Sequence, residues 1–407
     1  MKVRTTLSML CAGWMFLCIA PRQAHARWEQ TKWTIGGLVQ SLTVNGTTIF
    51  AGTDQLGVFM TKNSGETWSP VNSGLTKKSI LSLSGGGTSI FAGTTGGAFR
   101  TTSSDASLSW TAMNPTSMSK CIQSLAVMGT NIFAGTNGGL FLTTNNGSSW
   151  SLASSGLTDT TIYSLLIKGK SLFAGTRNGV YQSTNSGATW TPSNTGMTDM
   201  IVYSLATVGE TIFAGTFYNG VFSSTDNGTT WRAATSGLKS DYINALAACE
   251  TRLFAGTFNG VFASVDYGRS WKPFNEGLKD TLVLALTING SSLFAGTHDA
   301  GVWRMPITDV AALPGHIRAP VRPGAAISAV SGGAGVGEID FSIGQSDRVC
   351  LTLHDVTGRL VATIADGRFE AGEHRLPLAG KRLPRGCYTV KLRTTASTVA
   401  ERFPLIY

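Results

Sequence analysis

Apolar and β-branched residues alternate with polar ones in short runs that end on Gly, Asn or Ser. Around residue 173 these runs are Thr161–Ile167, Ser171–Thr176, Gly179–Thr184 and Ala188–Pro192. A period of two bounded by turn residues predicts strands joined by tight turns. The same four runs recur along the chain. Their marker, Phe-Ala-Gly-Thr, begins at Phe50, Phe91, Phe133, Phe173, Phe213, Phe254 and Phe294, at intervals of 40–42 residues. Four strands in a unit of that length predict a propeller blade, each blade needing its neighbours to bury its apolar faces.

The register of tryptophan predicts how the ring closes. Six units carry a Trp in the fourth run, 23 residues before the next Phe, whereas the seventh stops near Met305 without one and an orphan Trp28 stands 22 residues before Phe50. The expectation is an all-β chain: a closed seven-bladed β-propeller of four-stranded blades over residues 27–306, its N-terminal strand completing the last blade. Ala and Gly after each Phe fit blades packed face to face. Asn-Gly pairs at Asn137, Asn178, Asn219 and Asn259 are expected to supply the positive φ angles of two-residue hairpins between second and third strands.

Between the third and fourth strands a second signature recurs, Thr184-Asn185-Ser186-Gly187-Ala188-Thr189-Trp190, with counterparts at Lys62–Trp68, Asn145–Trp150, Asp226–Trp231 and Asp266–Trp271. It resembles the Asp-box, or BNR-repeat, of sialidase-like and VPS10-like propellers, in which Asp or Asn folds back on turn amides, Gly is left-handed and Trp packs between blades. The second unit departs from the pattern, keeping Trp110 but having no Gly after Asp105.

Beyond Pro306 the repeat ends. Residues 307–337 are rich in Pro, Gly and Ala and read as a linker; alternation resumes over 338–407, enough for a small C-terminal β-sandwich. Three ordered motifs there, Asp355-Val356-Thr357-Gly358-Arg359-Leu360-Val361, Ala371-Gly372-Glu373-His374 and Gly386–Leu392, resemble the type A C-terminal sorting domain of the type IX secretion system. That resemblance implies a Gram-negative owner, the type IX machinery as partner, and residence outside the cell or on the outer-membrane surface. The motifs lack the Asn-Pro-Phe lead-in, and the last residue is Tyr407 where the family has a basic one.

Residues 1–26 add a leader. Lys2 and Arg4 precede an apolar run from Leu7 to Ala20 and the small-residue site Ala24-His25-Ala26, the pattern of a secretory signal peptide. The net charge of +9 changes little: from Arg27 to Val310 there are 17 Lys and Arg against 15 Asp and Glu, with no basic run interleaved with aromatics, so a nucleic-acid partner is not expected. Of the six cysteines, Cys11 and Cys18 lie in the leader, Cys121 and Cys249 stand alone in apolar strands, and Cys350 and Cys387 fall in strands of the last domain, their pairing left open.

Candidate chemistry is sparse. On the face bearing the second-to-third-strand turns, blades 1, 5 and 7 carry an extra turn residue, at Asp54-Gln55-Leu56, Phe217-Tyr218 and His298-Asp299. With Arg177 and Phe258 from neighbouring turns, Phe217, Tyr218 and His298 form the candidate ligand-binding set. Asp159, Asp199 and Asp280 recur three residues after blade-ending glycines, which favours turn capping over catalysis. Glycoside hydrolysis needs two facing carboxylates, and Asp54 with Asp299 is the pair to nominate. No catalytic triad, cofactor loop or clustered metal ligands appear. The leading expectation is a secreted or cell-surface, non-enzymatic propeller that binds a glycan or a protein, peripheral to the outer membrane at most; the alternatives are a sialidase-like glycoside hydrolase and a structural surface component.

Overall fold

The computed structural model describes residues 27–33, 35–101, 108–113, 121–307, 325–333, 336–343, 345–355, 359–377, 386–395 and 398–405. The leader, residues 102–107 where the second repeat departs from the turn signature, and most of the linker lie outside them. Two compact units divide the chain, Met1–Pro314 and Gly315–Tyr407. Every regular element among the described residues is a strand, β1 to β35 in chain order.

The first unit is seven four-stranded antiparallel sheets, one per repeat. In the fourth, β14 (Ile162–Lys168), β15 (Ser171–Thr176), β16 (Gly179–Ser183) and β17 (Thr191–Pro192) follow one another from the inside outward. The seven innermost strands are β2 (Val39–Asn45), β6 (Ile80–Gly86), β10 (Ile122–Met128), β14, β18 (Val202–Val208), β22 (Ile243–Cys249) and β26 (Val283–Asn289), and each meets the next, β26 returning to β2. The ring is therefore closed.

Glycine sets the spacing between blades. A methyl group on Gly175 would lie 2.8 Å from Cγ1 of Val202 in the next blade, and one on Gly296 of the seventh blade would lie 2.6 Å from Cγ1 of Val39 in the first. The Phe ahead of each such Gly is fully buried in six blades and 3% exposed at Phe91, a contribution of roughly 1.5–3 kcal/mol per ring.

The orphan Trp28 takes the place expected of it. β1 (Glu29–Gln30) pairs with β28 (Val302–Pro306), Glu29 opposite Arg304 and Gln30 opposite Trp303, which completes the seventh sheet. Trp28 Nε1 donates to the Phe274 carbonyl at 2.6 Å in the sixth blade. The same bond runs from Trp190 to Ala153, Trp231 to Ser193 and Trp271 to Ala234.

Two turn types differ from expectation. Thr176 pairs with Gly179, so the hairpin tip is Arg177-Asn178, and the left-handed residue is Gly179 (φ 92°) while Asn178 keeps an ordinary φ. A type I turn followed by a left-handed glycine explains this, with Asn in the turn and Gly opening the third strand. In the third-to-fourth-strand turns two successive residues are left-handed rather than one, as in Ser186 (φ 57°) and Gly187 (φ 82°).

With β31 (Asp347–His354), β32 (Leu360–Phe369), β33 (Gly372–Pro377), β34 (Gly386–Arg393) and β35 (Thr398–Leu405), the second unit has a three-stranded sheet, β29-β30-β33, and a four-stranded sheet, β32-β31-β34-β35. Ile339, Phe341, Ile343, Val349, Leu351, Leu353, Val390 and Leu392 form its buried core. β29 (Ala325–Gly333) falls inside the stretch read as linker, because its small residues hide the alternation of a strand whose partner is β30 (Val336–Ile343). Cys350 lies opposite Arg393 on the neighbouring strand and is a free thiol. Cys387 is six residues along that strand, about 20 Å away at strand spacing, far beyond the reach of a disulfide.

Candidate functional site

Every innermost strand of the first unit breaks register after its first residue, as between Ile162 and Ser164 and between Val202 and Ser204. A bulge re-aims the extra side chain away from the paired sheet. Around the ring the bulged residues are Gln40, Leu81, Gln123, Tyr163, Tyr203, Asn244 and Leu284, all partly buried. Only blades 4 and 5 place tyrosine there.

These tyrosines begin a continuous series of rings. Tyr163 meets Tyr203 at 4.7 Å between centroids, Tyr203 meets Phe217 at 5.3 Å, and Phe217 meets Tyr218 at 4.5 Å and Tyr242 at 4.8 Å. Tyr242 stacks on Phe258 at 4.9 Å with 9° between planes. The wall spans blades 4, 5 and 6, with Tyr218 54% and Phe258 42% exposed. Burial raises the Tyr203 pKa, Tyr163 and Tyr218 add to the rise, and the nearby Arg177 guanidinium opposes it.

Beneath the wall lies Asp199, 6% exposed. Its Oδ2 accepts the Tyr218 and Asn219 amides at 2.6 and 3.1 Å, and its Oδ1 accepts that of Ile201 at 3.1 Å. One carboxylate thus ties the approach to Tyr203 to the longer turn bearing Phe217 and Tyr218. Asp280 repeats the device in blade 7, accepting the amides of Asp299 and Ala300 through Oδ2 and that of Leu282 through Oδ1. Burial works to raise the Asp280 pKa, but those amides and the Thr297 hydroxyl outweigh it and leave it below the usual carboxylate value. Among the described residues Asp159 accepts the Thr161 amide alone, at 2.8 Å.

The structure thus brings Phe217, Tyr218 and Phe258 together, with Arg177 in the turn beside them. His298 sits on blade 7 with Nδ1 2.8 Å from Oδ1 of Asp299. Tyr163, Tyr203 and Tyr242 escape sequence reasoning because tyrosine is ordinary in a strand or just before one; the one signal is that Tyr163 and Tyr203 replace Gln, Leu or Asn at a fixed repeat position. Asp54 accepts the Ser79 hydroxyl at 2.7 Å, and Asp299 is occupied with His298. No group of three or more His, Cys, Asp or Glu is placed to hold a metal ion among the described residues.

The model of the DUF6242 beta propeller domain matches residues 127–246, the stretch holding most of the aromatic wall. No curated protein matches the chain. Among solved structures, the extracellular domain of the putative one component system BT4673 from B. thetaiotaomicron is 14% identical, with a TM-score of 0.57 over 93% of this chain and 52% of its own. This chain therefore spans about half the length of that protein. PorZ, a surface component of the type IX secretion system of Porphyromonas gingivalis, is 14% identical, with a TM-score of 0.52 over 91% of this chain and 60% of its own. An ancestral GH74 enzyme is 15% identical, with a TM-score of 0.54 over 93% of this chain and 63% of its own. At these identities the likeness is one of fold.

Proposed function

We propose that this chain is a secreted or cell-surface, non-enzymatic propeller of the Asp-box type that binds a glycan or protein on the face bearing Arg177, Phe217, Tyr218 and Phe258. One observation carries the reading: six aromatic rings in continuous contact across three blades, two of them substantially exposed. Solvated rings supported from below by a buried carboxylate are a surface held ready for a ligand, and Tyr, Phe and Arg are frequent anchors at such surfaces. The Asn and Asp turns support the Asp-box reading, since Asn185 Oδ1 accepts the Thr189 amide at 2.9 Å and Asp226 Oδ1 that of Thr230 at 2.9 Å.

The C-terminal unit serves as the sorting domain for type IX export to the surface of a Gram-negative bacterium. Its three motifs and the extracellular or surface setting of two fold neighbours support that assignment. The chain from Arg27 to Tyr407, offered to a glycan array with released sugar measured alongside, tests the main reading. Binding without release is the expected result. Release that disappears in Asp54→Asn and Asp299→Asn variants overturns it in favour of a hydrolase.

A further inference from the structure

We propose that the occupant of the aromatic wall is a polypeptide segment, carrying apolar or aromatic side chains against Tyr218, Tyr242 and Phe258 and an acidic group against Arg177. This rests on the binding reading above and narrows it to one ligand class.

The state of the polar groups separates polypeptide from sugar. A glycan site combines an open aromatic face with carboxylates or amides that accept several hydroxyl protons. Asp199, the carboxylate that holds the turn bearing Phe217 and Tyr218, has both oxygens engaged by three backbone amides and is buried. Asn244, at the next bulge, donates its Nδ2 to the Val283 carbonyl at 2.9 Å, which fixes the orientation of its side chain. The ring faces are also engaged: Phe217 meets Tyr203, Tyr218 and Tyr242 edge to face, and Tyr242 turns a face to Phe258. Of these rings Tyr218 and Phe258 are the ones left substantially exposed.

Such a surface has the chemistry of a protein-binding paratope, with rigid amphipathic rings of low conformational entropy. Arg177 supplies direction. It projects from the exposed two-residue tip of blade 4, and no carboxylate pairs with it among the described residues. An unpaired guanidinium at the edge of an apolar patch favours an anionic group on the partner and opposes a cationic one.

The test uses the chain from Arg27 to Tyr407 on an array of random-sequence 12-residue peptides and, in parallel, on a glycan array. Peptides rich in aromatic or aliphatic residues and containing Asp or Glu are expected to be retained. Tyr218→Ser and Phe258→Ser, at half-exposed positions, should each lower that retention about tenfold or more while the cooperative melting transition is retained. Arg177→Glu should abolish the preference for acidic peptides and favour basic ones. Glycans retained by the wild type and lost in the Tyr218 and Phe258 variants would overturn the polypeptide assignment while leaving the binding face intact. Peptide retention indifferent to all three variants, or no retention on either array, would overturn both.

Discussion

At the residue scale, one carboxylate does several jobs. Asp199→Ala leaves three amides without their acceptor in a nearly closed environment, so a loss of about 2–3 kcal/mol is expected, readable as a lower urea midpoint. Because the same amides fix the Tyr218 turn, peptide retention should fall with stability, and a variant with reduced stability but unchanged binding would refute the supporting role. The turn carboxylates offer a pH test. Hydrogen bonds from the Thr230 hydroxyl and amide and from Ser224 lower the Asp226 pKa to about 2, from 3.8. Its folded pKa is depressed, so its stabilising contribution is complete above about pH 4 and is lost as pH falls through 2. Asn185 makes the equivalent amide bond in blade 4 without titrating. Asp226→Asn should therefore flatten the acid limb of the stability curve between pH 4 and 2, and an unchanged limb would assign that loss to other groups. The wall was only half legible at this scale. Phe217, Tyr218 and Phe258 stand out in turns, whereas Tyr163 and Tyr203 reach the site through bulges, which a single strand's alternation does not reveal.

At the element scale, the repeat made the blades readable because each unit states the same constraints again. Phe fills the sheet interior, Gly lets the next blade approach, and Trp bonds back to the blade before. The blade-ending glycines belong to this set. Gly196 has a φ of 90°, and a methyl group on it would lie 2.3 Å from the Trp231 carbonyl oxygen. Gly196→Ala should cost about 2–4 kcal/mol from backbone strain and overlap, seen as a lower melting temperature; an unchanged melt would mean that the interblade turn yields freely. Turn detail was less legible. Asn-Gly marks a hairpin in either register, and the position of the left-handed residue depends on which pair closes the ladder, here Thr176 with Gly179. Closure is an element-scale claim as well. Trp28 is 1% exposed and bonded to Phe274, so Trp28→Ala should cost about 3–5 kcal/mol. Removing residues 27–33 should open the seventh blade to proteolysis at β26 to β28, and a truncated chain with wild-type resistance would disprove closure by this strand.

At the scale of the whole molecule, the chain joins two units that solve burial independently. The first can close only as a ring, since Gly296 of the last blade packs on Val39 of the first. The second buries eight apolar side chains to 1% exposure or less between its own two sheets. Its start was hidden in the sequence because seven of the nine residues of β29 are Ala, Ser or Gly, whose low hydrophobicity matches that of a linker. Separate cores make a division of labour testable. Ending the chain at Pro314 should leave the melting transition of the propeller in place, because no blade takes a strand from beyond Pro306. In a host with a type IX system that shortened chain should collect in the periplasm, and residues 315–407 fused to a periplasmic reporter should carry the reporter to the surface. The two arms separate the causes of failure. Retention through misfolding would appear as loss of the melt, whereas a folded propeller that still reaches the surface without the second unit would refute its sorting role.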